Sequence, residues 1–271
     1  VAGFGVVYTR LPFRLTARPG QKVPASSHTE EAGNRVVGSQ LTPVDESLTE
    51  TVRRGANGIW GLGLSGEQLA QFARFADLLI EWNATRMNLT RLTSPRDIAV
   101  KHFLDSLALL TVLTPPPGAR VLDVGTGAGL PGLALKIARP DLLVTLMDGT
   151  SKKLLFCRAV ADDLELENVE TVHARAEEAT RRTDIAGRFD LVTARAVAPL
   201  ERLLPWLTPF LAPGGVAAAW KGAGVAEEIA ASRPVAKRLG LTLALPAAFA
   251  LPEAEEPTER QIVLATRRET R

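Results

Sequence analysis

The chain has 271 residues, 46% hydrophobic and 23% charged, with a formal net charge of +2. This suffices for one large domain, or a domain with an extension, and it excludes a strongly basic nucleic-acid binder recognisable by charge alone. The single Cys157 excludes an internal disulfide and fits a reducing compartment, and no apolar run approaches a membrane span. Three scattered histidines beside one cysteine give no metal-ligand spacing, so no metal is expected. The first residues lack a basic start followed by a long apolar core. No signal peptide is read there, and a cytoplasmic location is expected.

Residues 1–47 are rich in Gly, Pro, Ser and Thr and hold no helical or strand period. They read as a disordered extension or as a start assigned too far upstream, with an ordered RNA-contacting arm as the functional alternative. Residues 48–118 read as N-terminal helices packed on a core, and 119–271 as the main domain. Ser65-Gly-Glu-Gln68 is a capping box, and Leu69, Phe72, Ala76, Leu79 and Ile80 follow at helical spacing, predicting a helix that ends near Trp82. The polar stretch 83–93 contains Asn88-Leu-Thr90. Ser94-Pro-Arg-Asp97 then gives an N-cap, a first-turn proline and an N3 acid.

This second helix carries an apolar stripe (Val100, Phe103, Leu104, Leu107, Leu110) and, on another face, His102, Asp105 and Ser106 at spacings that let them touch. Those three can be a local structural link, with Asp105 holding His102, or a polar seam facing a substrate. Thr114-Pro-Pro-Pro-Gly118 ends the helix.

Val121-Leu-Asp-Val-Gly-Thr-Gly-Ala-Gly-Leu-Pro-Gly132 reads as strand, glycine turn and helix, with Pro131 in the first helical turn. Glycines let backbone pass close to a ligand, and a helix start offers unpaired N–H groups, so a nucleotide site is expected. Gly127-Ala-Gly129-Leu-Pro-Gly132 satisfies G-x-G-x-x-G, which leaves a dinucleotide open. Asp123 argues against it, because a carboxylate facing a pyrophosphate would repel it. It suits a ligand with a cationic end, such as S-adenosylmethionine. A tight turn without any ligand is the plain alternative.

Strand and helix signals then alternate, which implies βαβ units and a parallel sheet. Strands are expected at 142–147, 169–174, 189–194 and 216–220, with a helix at 151–164 in which Cys157 reads as a buried structural thiol. Segments 241–245 and 261–266 read as an antiparallel pair that closes the sheet. Ligands of such sheets lie outside the carboxyl ends of the strands. The residues with chemistry all fall there: Gly125, Gly127 and Gly129, then Asp148, Ala176 and Glu177, Arg195 and Lys221. Asp148, about 20 residues past the glycines, is where a carboxylate would hold a ribose diol, and Glu177 or its backbone could read an adenine.

Asn88-Leu-Thr90, Lys101-His-Phe-Leu-Asp-Ser-Leu107, the glycine motif 121–132, Thr193-Ala-Arg-Ala196 and Trp220-Lys-Gly222 together resemble the RsmG (GidB) family of small-subunit ribosomal RNA guanine-N7 methyltransferases. The resemblance covers about residues 65–267. It implies a class I, Rossmann-like α/β fold with a seven-stranded, mostly parallel sheet ending in an antiparallel pair, preceded by a helical extension. It implies S-adenosylmethionine as cofactor, contacted by Gly125, Leu130, Ala176, Glu177 and Arg195, with Asp148 on the ribose. It places Asn88, His102, Lys152, Arg175, Arg195 and Lys221 around the target nucleotide or its phosphates, the target being a guanine in the 530 loop of 16S rRNA. Gly149-Thr-Ser-Lys152 departs from the Ser-Leu-Gly-Lys of many relatives but keeps the lysine. Arg91, Lys101 and Arg139 are further candidates for RNA binding, and a monomer is expected. A nicotinamide-dependent oxidoreductase and a non-catalytic RNA-binding assembly factor remain as alternatives.

Overall fold

The computed structural model describes residues 43–222, 224–244, 246–254 and 259–269. Of the expected extension, residues 1–42 lie outside the described residues. The first helix, Pro43–Arg53, starts ahead of the expected Leu48 and continues into a wider turn at Arg54–Ile59. Gly55 lies against Leu104 so closely that a Cβ there would come within 2.5 Å of the leucine's Cδ1. This contact seats the first helical segment on the later helical run.

The capping box forms as read. Ser65 Oγ accepts from Gln68 N–H at 3.2 Å and Gln68 Oε1 accepts from Ser65 N–H at 2.8 Å. The Gln68 amide also donates to the carbonyls of Ile137 (2.7 Å) and Ala138 (3.1 Å), satisfying the last turn of the helix Gly132–Ala138. One local capping signal therefore also docks its helix on the helix behind the glycine turn. Helix Gly66–Thr85 runs a turn beyond the expected end at Trp82. Asn83 Oδ1 there accepts from the N–H groups of Leu89 and Thr90 and ties back the following loop.

Ser94 caps the next helical run, 95–112, whose middle, Ile98–Leu104, is wound as a π-helix. Val100, Phe103, Leu104 and Leu107 are buried as the stripe predicts. Phe72, Phe75, Phe103, Phe156 and Trp82 form a chain of ring contacts that joins both helices to Ser151–Asp163.

The strands are β1 Arg120–Val124, β2 Leu143–Asp148, β3 Val169–His173, β4 Phe189–Arg195, β5 Leu211–Lys221, β6 Leu241–Leu243, β7 Ala247–Ala250 and β8 Glu259–Arg267. They lie in the order β3-β2-β1-β4-β5-β8-β6, with β7 also paired to β8. The pairs from β3 through β5 are parallel, and β8 is antiparallel to β5, β6 and β7. β1 is buried from Val121 onward, as a central strand covered on both faces must be. Val121 faces the core shared with the N-terminal helices, whereas Leu122 and Val124 face the core beneath Leu200–Leu207 and Val225–Arg238.

Three details differ from the sequence reading. β5 begins at Leu211, and Pro213-Gly-Gly215, read as a turn, forms an irregularity inside it, with the register stepping between Phe189 and Leu191 and Gly214 at φ 75°. β7 has no counterpart in the sequence pattern; Ala-Ala-Phe-Ala carries little strand propensity, and pairing with β8 supplies what propensity does not. Pro131 stands just before the helix as its cap residue instead of in its first turn. Among the described residues, no helix is long and apolar enough to cross a membrane, and no group of three His, Cys, Asp or Glu could hold a metal.

Candidate active site

The carboxyl ends of β1 to β5 bring together the glycine turn, Asp148, Ala176-Glu177, Arg195 and Lys221, as strand order requires. Asp123 is a correction. Its side chain is fully buried beneath the turn and directed inward: Oδ2 accepts from Thr126 Oγ (2.6 Å) and Gly132 N–H (2.9 Å), and Oδ1 from Thr193 Oγ (2.8 Å). Thr193 lies opposite Asp123 on neighbouring β4. The carboxylate thus ties the turn, the helix start and the sheet to one point. Burial pushes its pKa up, against the three hydrogen bonds that favour the charged form.

The turn's backbone amides are also used differently from the expectation of an open helix start. Gly125 and Thr126 N–H donate to Met147 O, Gly127 N–H to Asp148 Oδ2, and Gly129 and Leu130 N–H to Thr126 O. Gly132 N–H is on Asp123 and Leu133 N–H on Gly129 O. A pyrophosphate would need such donors free. Their commitment, with the Asp148 carboxylate beside them, disfavours a dinucleotide.

The residues fit S-adenosylmethionine better. Gly127, at φ 57°, has only Gly125 O near the position a Cβ would take, at 4.0 Å, so its face is open to a ligand. Gly125, at φ 68°, is covered on its other side by Val197. Asp148 is buried, its Oδ1 accepting from Thr150 N–H at 2.8 Å, so its carboxylate is fixed in direction beside the turn. Leu130 and Ala176 are buried, and Glu177 is exposed in the short helix Ala176–Ala179 that follows β3. Beneath the turn, the buried Cys157 thiol donates to Gly127 O at 3.6 Å; burial drives its pKa upward, so it is an inert prop.

The polar seam of the helical run does form, with a different partner for Asp105. Asp105 does not hold His102. Its Oδ2 accepts from Arg195 Nη1 at 3.0 Å and its Oδ1 lies 3.4 Å from Arg260 Nε, while Trp220 Nε1–H donates to its carbonyl at 2.8 Å. A carboxylate between two guanidiniums from β4 and β8 has no charge left for an imidazole. Burial nevertheless raises its pKa, with Arg195 the leading opposing influence.

His102 Nε2 instead lies 2.8 Å from Thr90 Oγ, which already accepts from Leu92 N–H at 3.0 Å. The hydroxyl proton is therefore available to a neutral ring. Burial, reinforced by the Arg195 charge, lowers the His102 pKa to about 4. The sign follows: above the ordinary histidine pKa both folded and unfolded chains are neutral, and as pH falls only the unfolded chain takes up the proton. Stability should fall by up to about 3 kcal/mol between roughly pH 6.5 and pH 4. His102→Gln should remove that part of the decline, which urea unfolding at pH 7, 5.5 and 4.5 would reveal; equal slopes for both proteins would refute it.

Asn88, Lys152 and Arg175 are exposed, and Arg175 packs beside Gly149. Lys221 Nζ, expected on a phosphate, donates to Glu228 Oε1 (2.7 Å) and Ala198 O (2.8 Å). Lys101 pairs with Asp97 at 2.6 Å. Arg139 lies at the opposite, amino edge of the sheet, held by Asp141 and Pro115 O just before β2, so it cannot join the site. Sequence reasoning missed Thr126 and Thr193 as partners of Asp123, and Asn83, Glu228 and Arg260 altogether.

A family model described as rRNA small subunit methyltransferase G matches residues 68–249. A protein of that name from Desulfitobacterium hafniense is 46% identical over 177 residues, 65% of this chain and 72% of the relative. One from Bacillus velezensis is 41% identical over 204 residues, 75% and 84% of the two chains. A solved transferase structure from Pyrococcus horikoshii, 12% identical and covering 66% of each chain, shares the fold alone at a TM-score of 0.50. With the glycine turn, the polar seam and the strand-end residues all inside the matched region, the chain belongs to the rRNA small subunit methyltransferase G family.

Proposed function

We propose that this protein transfers a methyl group from S-adenosylmethionine to N7 of a guanine in the 530 loop of 16S rRNA, within the small ribosomal subunit or its precursor, and that it acts as a monomer. The observation that carries the cofactor assignment is the turn at 125–129, where the amides of Gly125, Thr126, Gly127 and Gly129 are spent internally while Gly127 stays open beside Asp148. Gly125, Gly127, Gly129, Leu130, Asp148, Ala176 and Glu177 would hold the cofactor, while Arg195, which the resemblance also sets against the cofactor, is assigned to the base. Asp123 supports them from beneath.

When bound, S-adenosylmethionine supplies an electrophilic methyl carbon. Guanine N7 has an in-plane lone pair and no proton to lose, so no side chain has to act as a base. The protein's work is then to hold the base in line, the effect expected to dominate such a transfer. Arg195, oriented by Asp105, and His102, oriented by Thr90, stand where the helical run meets β4 and would position the base or its phosphate. Exposed Asn88, Lys152 and Arg175 would contact the surrounding RNA. With the His102 pKa at about 4, His102→Ala should slow transfer while leaving the pH dependence between about 6 and 8 unchanged. A wild-type rate that falls sharply below pH 6.5, with the fall absent in the variant, would refute this.

The direct test is transfer from labelled S-adenosylmethionine to small subunits lacking the modification, followed by chain cleavage at N7-methylguanine. A single cleavage in the 530 loop supports cofactor, reaction and target together. Label elsewhere would discard the target. Intact cofactor binding without label would favour the assembly-factor reading, and binding of NADH in its place would favour the oxidoreductase.

A further inference from the structure

Lys221 ends β5 on the site edge, yet its side chain is only 11% exposed and its charge is spent within the protein. Its ammonium donates to Glu228 Oε1 at 2.7 Å and to Ala198 O at 2.8 Å. The same Glu228 oxygen accepts from Leu200 N–H, at the start of helix Leu200–Leu207. These bonds grip the far end of the segment 196–199, which leaves β4 directly after Arg195. The near end is strained: Ala196 has φ 56°, a left-handed conformation that side-chain-bearing residues rarely adopt. Such a conformation persists only where surrounding contacts hold it.

Between the two ends, Val197 roofs the first glycine of the cofactor turn. A Cβ on Gly125 would lie 2.9 Å from Val197 Cγ2, so turn and segment are in direct contact. A charge pair on β5 and helix Val225–Arg238 therefore ends, through one strained segment, on the turn.

We propose that Lys221 and Glu228 form a latch that holds the segment 196–199 down on the glycine turn. Glu228 is then a positioning residue for cofactor binding, and Lys221 serves the cofactor side of the site instead of a phosphate. A lysine neutralised by a carboxylate 2.7 Å away offers a phosphate little net charge. The inference rests on the reading that the turn at 125–129 holds S-adenosylmethionine.

The test measures two quantities in the full chain: calorimetric affinity for S-adenosylhomocysteine, and the salt dependence of binding to small ribosomal subunits. The variants are Glu228→Gln, Lys221→Met and both together. Each single change should weaken S-adenosylhomocysteine about tenfold, the size of one charged hydrogen bond. The double variant should lose no more than the weaker single, because one latch can be opened only once. Salt slopes should match wild type.

A Lys221→Met protein with unchanged S-adenosylhomocysteine affinity and a salt slope shallower by about 0.7–0.9 would make Lys221 a phosphate contact and overturn the latch. If Lys221→Met does not fold, Glu228→Gln still decides, since its amide oxygen keeps an acceptor for Leu200 N–H while the charge facing Lys221 is gone; unchanged affinity there overturns the latch equally. Wild type that binds no S-adenosylhomocysteine would overturn the cofactor reading itself, a distinct result.

Discussion

Asp123→Ala should abolish measurable cofactor binding and destabilise the fold by about 4 kcal/mol, because three buried groups lose their acceptor at once, at roughly 1–3 kcal/mol each. Thr126 Oγ, Thr193 Oγ and Gly132 N–H would all be stranded at a position that no solvent reaches. Against a typical total stability of about 5–15 kcal/mol, that is a large part of the margin. Asp123→Asn should be milder. It keeps the volume and one acceptor oxygen, and it escapes the cost of an ionised group whose pKa burial has raised. For an acid shifted upward, that cost is absent below the ordinary carboxylate range and grows as pH rises toward the folded value, so the gain from Asn is felt near neutral pH. Urea midpoints and calorimetry with S-adenosylhomocysteine separate the possibilities. A variant of wild-type stability that loses only cofactor affinity would restore Asp123 as a direct ligand contact.

Asp123 also shows where reading the sequence succeeds and where it stops. The carboxylate two residues before Gly125 marks the turn correctly, because strand, glycines and helix start are contiguous and local sterics decide them. Whether it points up at a ligand or down at Thr193 depends on β4, some 70 positions away, and no local pattern carries that. The capping box at Ser65 and the N-cap at Ser94 are legible for the same reason as the turn: the bonds join residues three apart. The placement of Asp148, Glu177, Arg195 and Lys221 on one edge followed from strand alternation alone.

What those side chains hold did not follow. Asp105 was close enough in sequence to reach His102, but Arg195 and Arg260 win it, because a buried carboxylate gains more from two guanidiniums than from an imidazole that burial keeps neutral. Glu228 lies seven residues from Lys221 across a break between strand and helix, a spacing that signals nothing until both are folded. β7 was hidden because its four residues become a strand only through pairing with β8.

Asp105→Ala should cut kcat/KM for methyl transfer about a hundredfold while leaving S-adenosylhomocysteine affinity within about twofold of wild type, the loss expected when a positioned group moves by about an ångström. Among the described residues no hydrogen bond or ion pair joins Asp105 to the turn at 125–129, and Arg195 is assigned to the base, so the cofactor side has no reason to respond. It is instead the joint between the helical run and the sheet, taking Arg195 from β4, approaching Arg260 from β8 and accepting from Trp220 of β5 through its carbonyl. Removing the carboxylate frees Arg195, whose side chain is 16% exposed, from the carboxylate that holds it. Stability should fall by about 2 kcal/mol, below the roughly 3–5 typical of a broken buried pair, since Arg260 is 35% exposed and water can take over part of its charge. The carbonyl bond to Trp220 survives the change, which keeps the joint from opening altogether. Asp105→Asn should fall between wild type and alanine, because one oxygen still accepts from Arg195 while the charge is lost. Steady-state transfer kinetics with small subunits, set beside calorimetry, give the answer. A parallel loss of cofactor affinity would mean that Asp105 supports the whole site, and an unchanged rate would mean that Arg195 takes no part in holding the base.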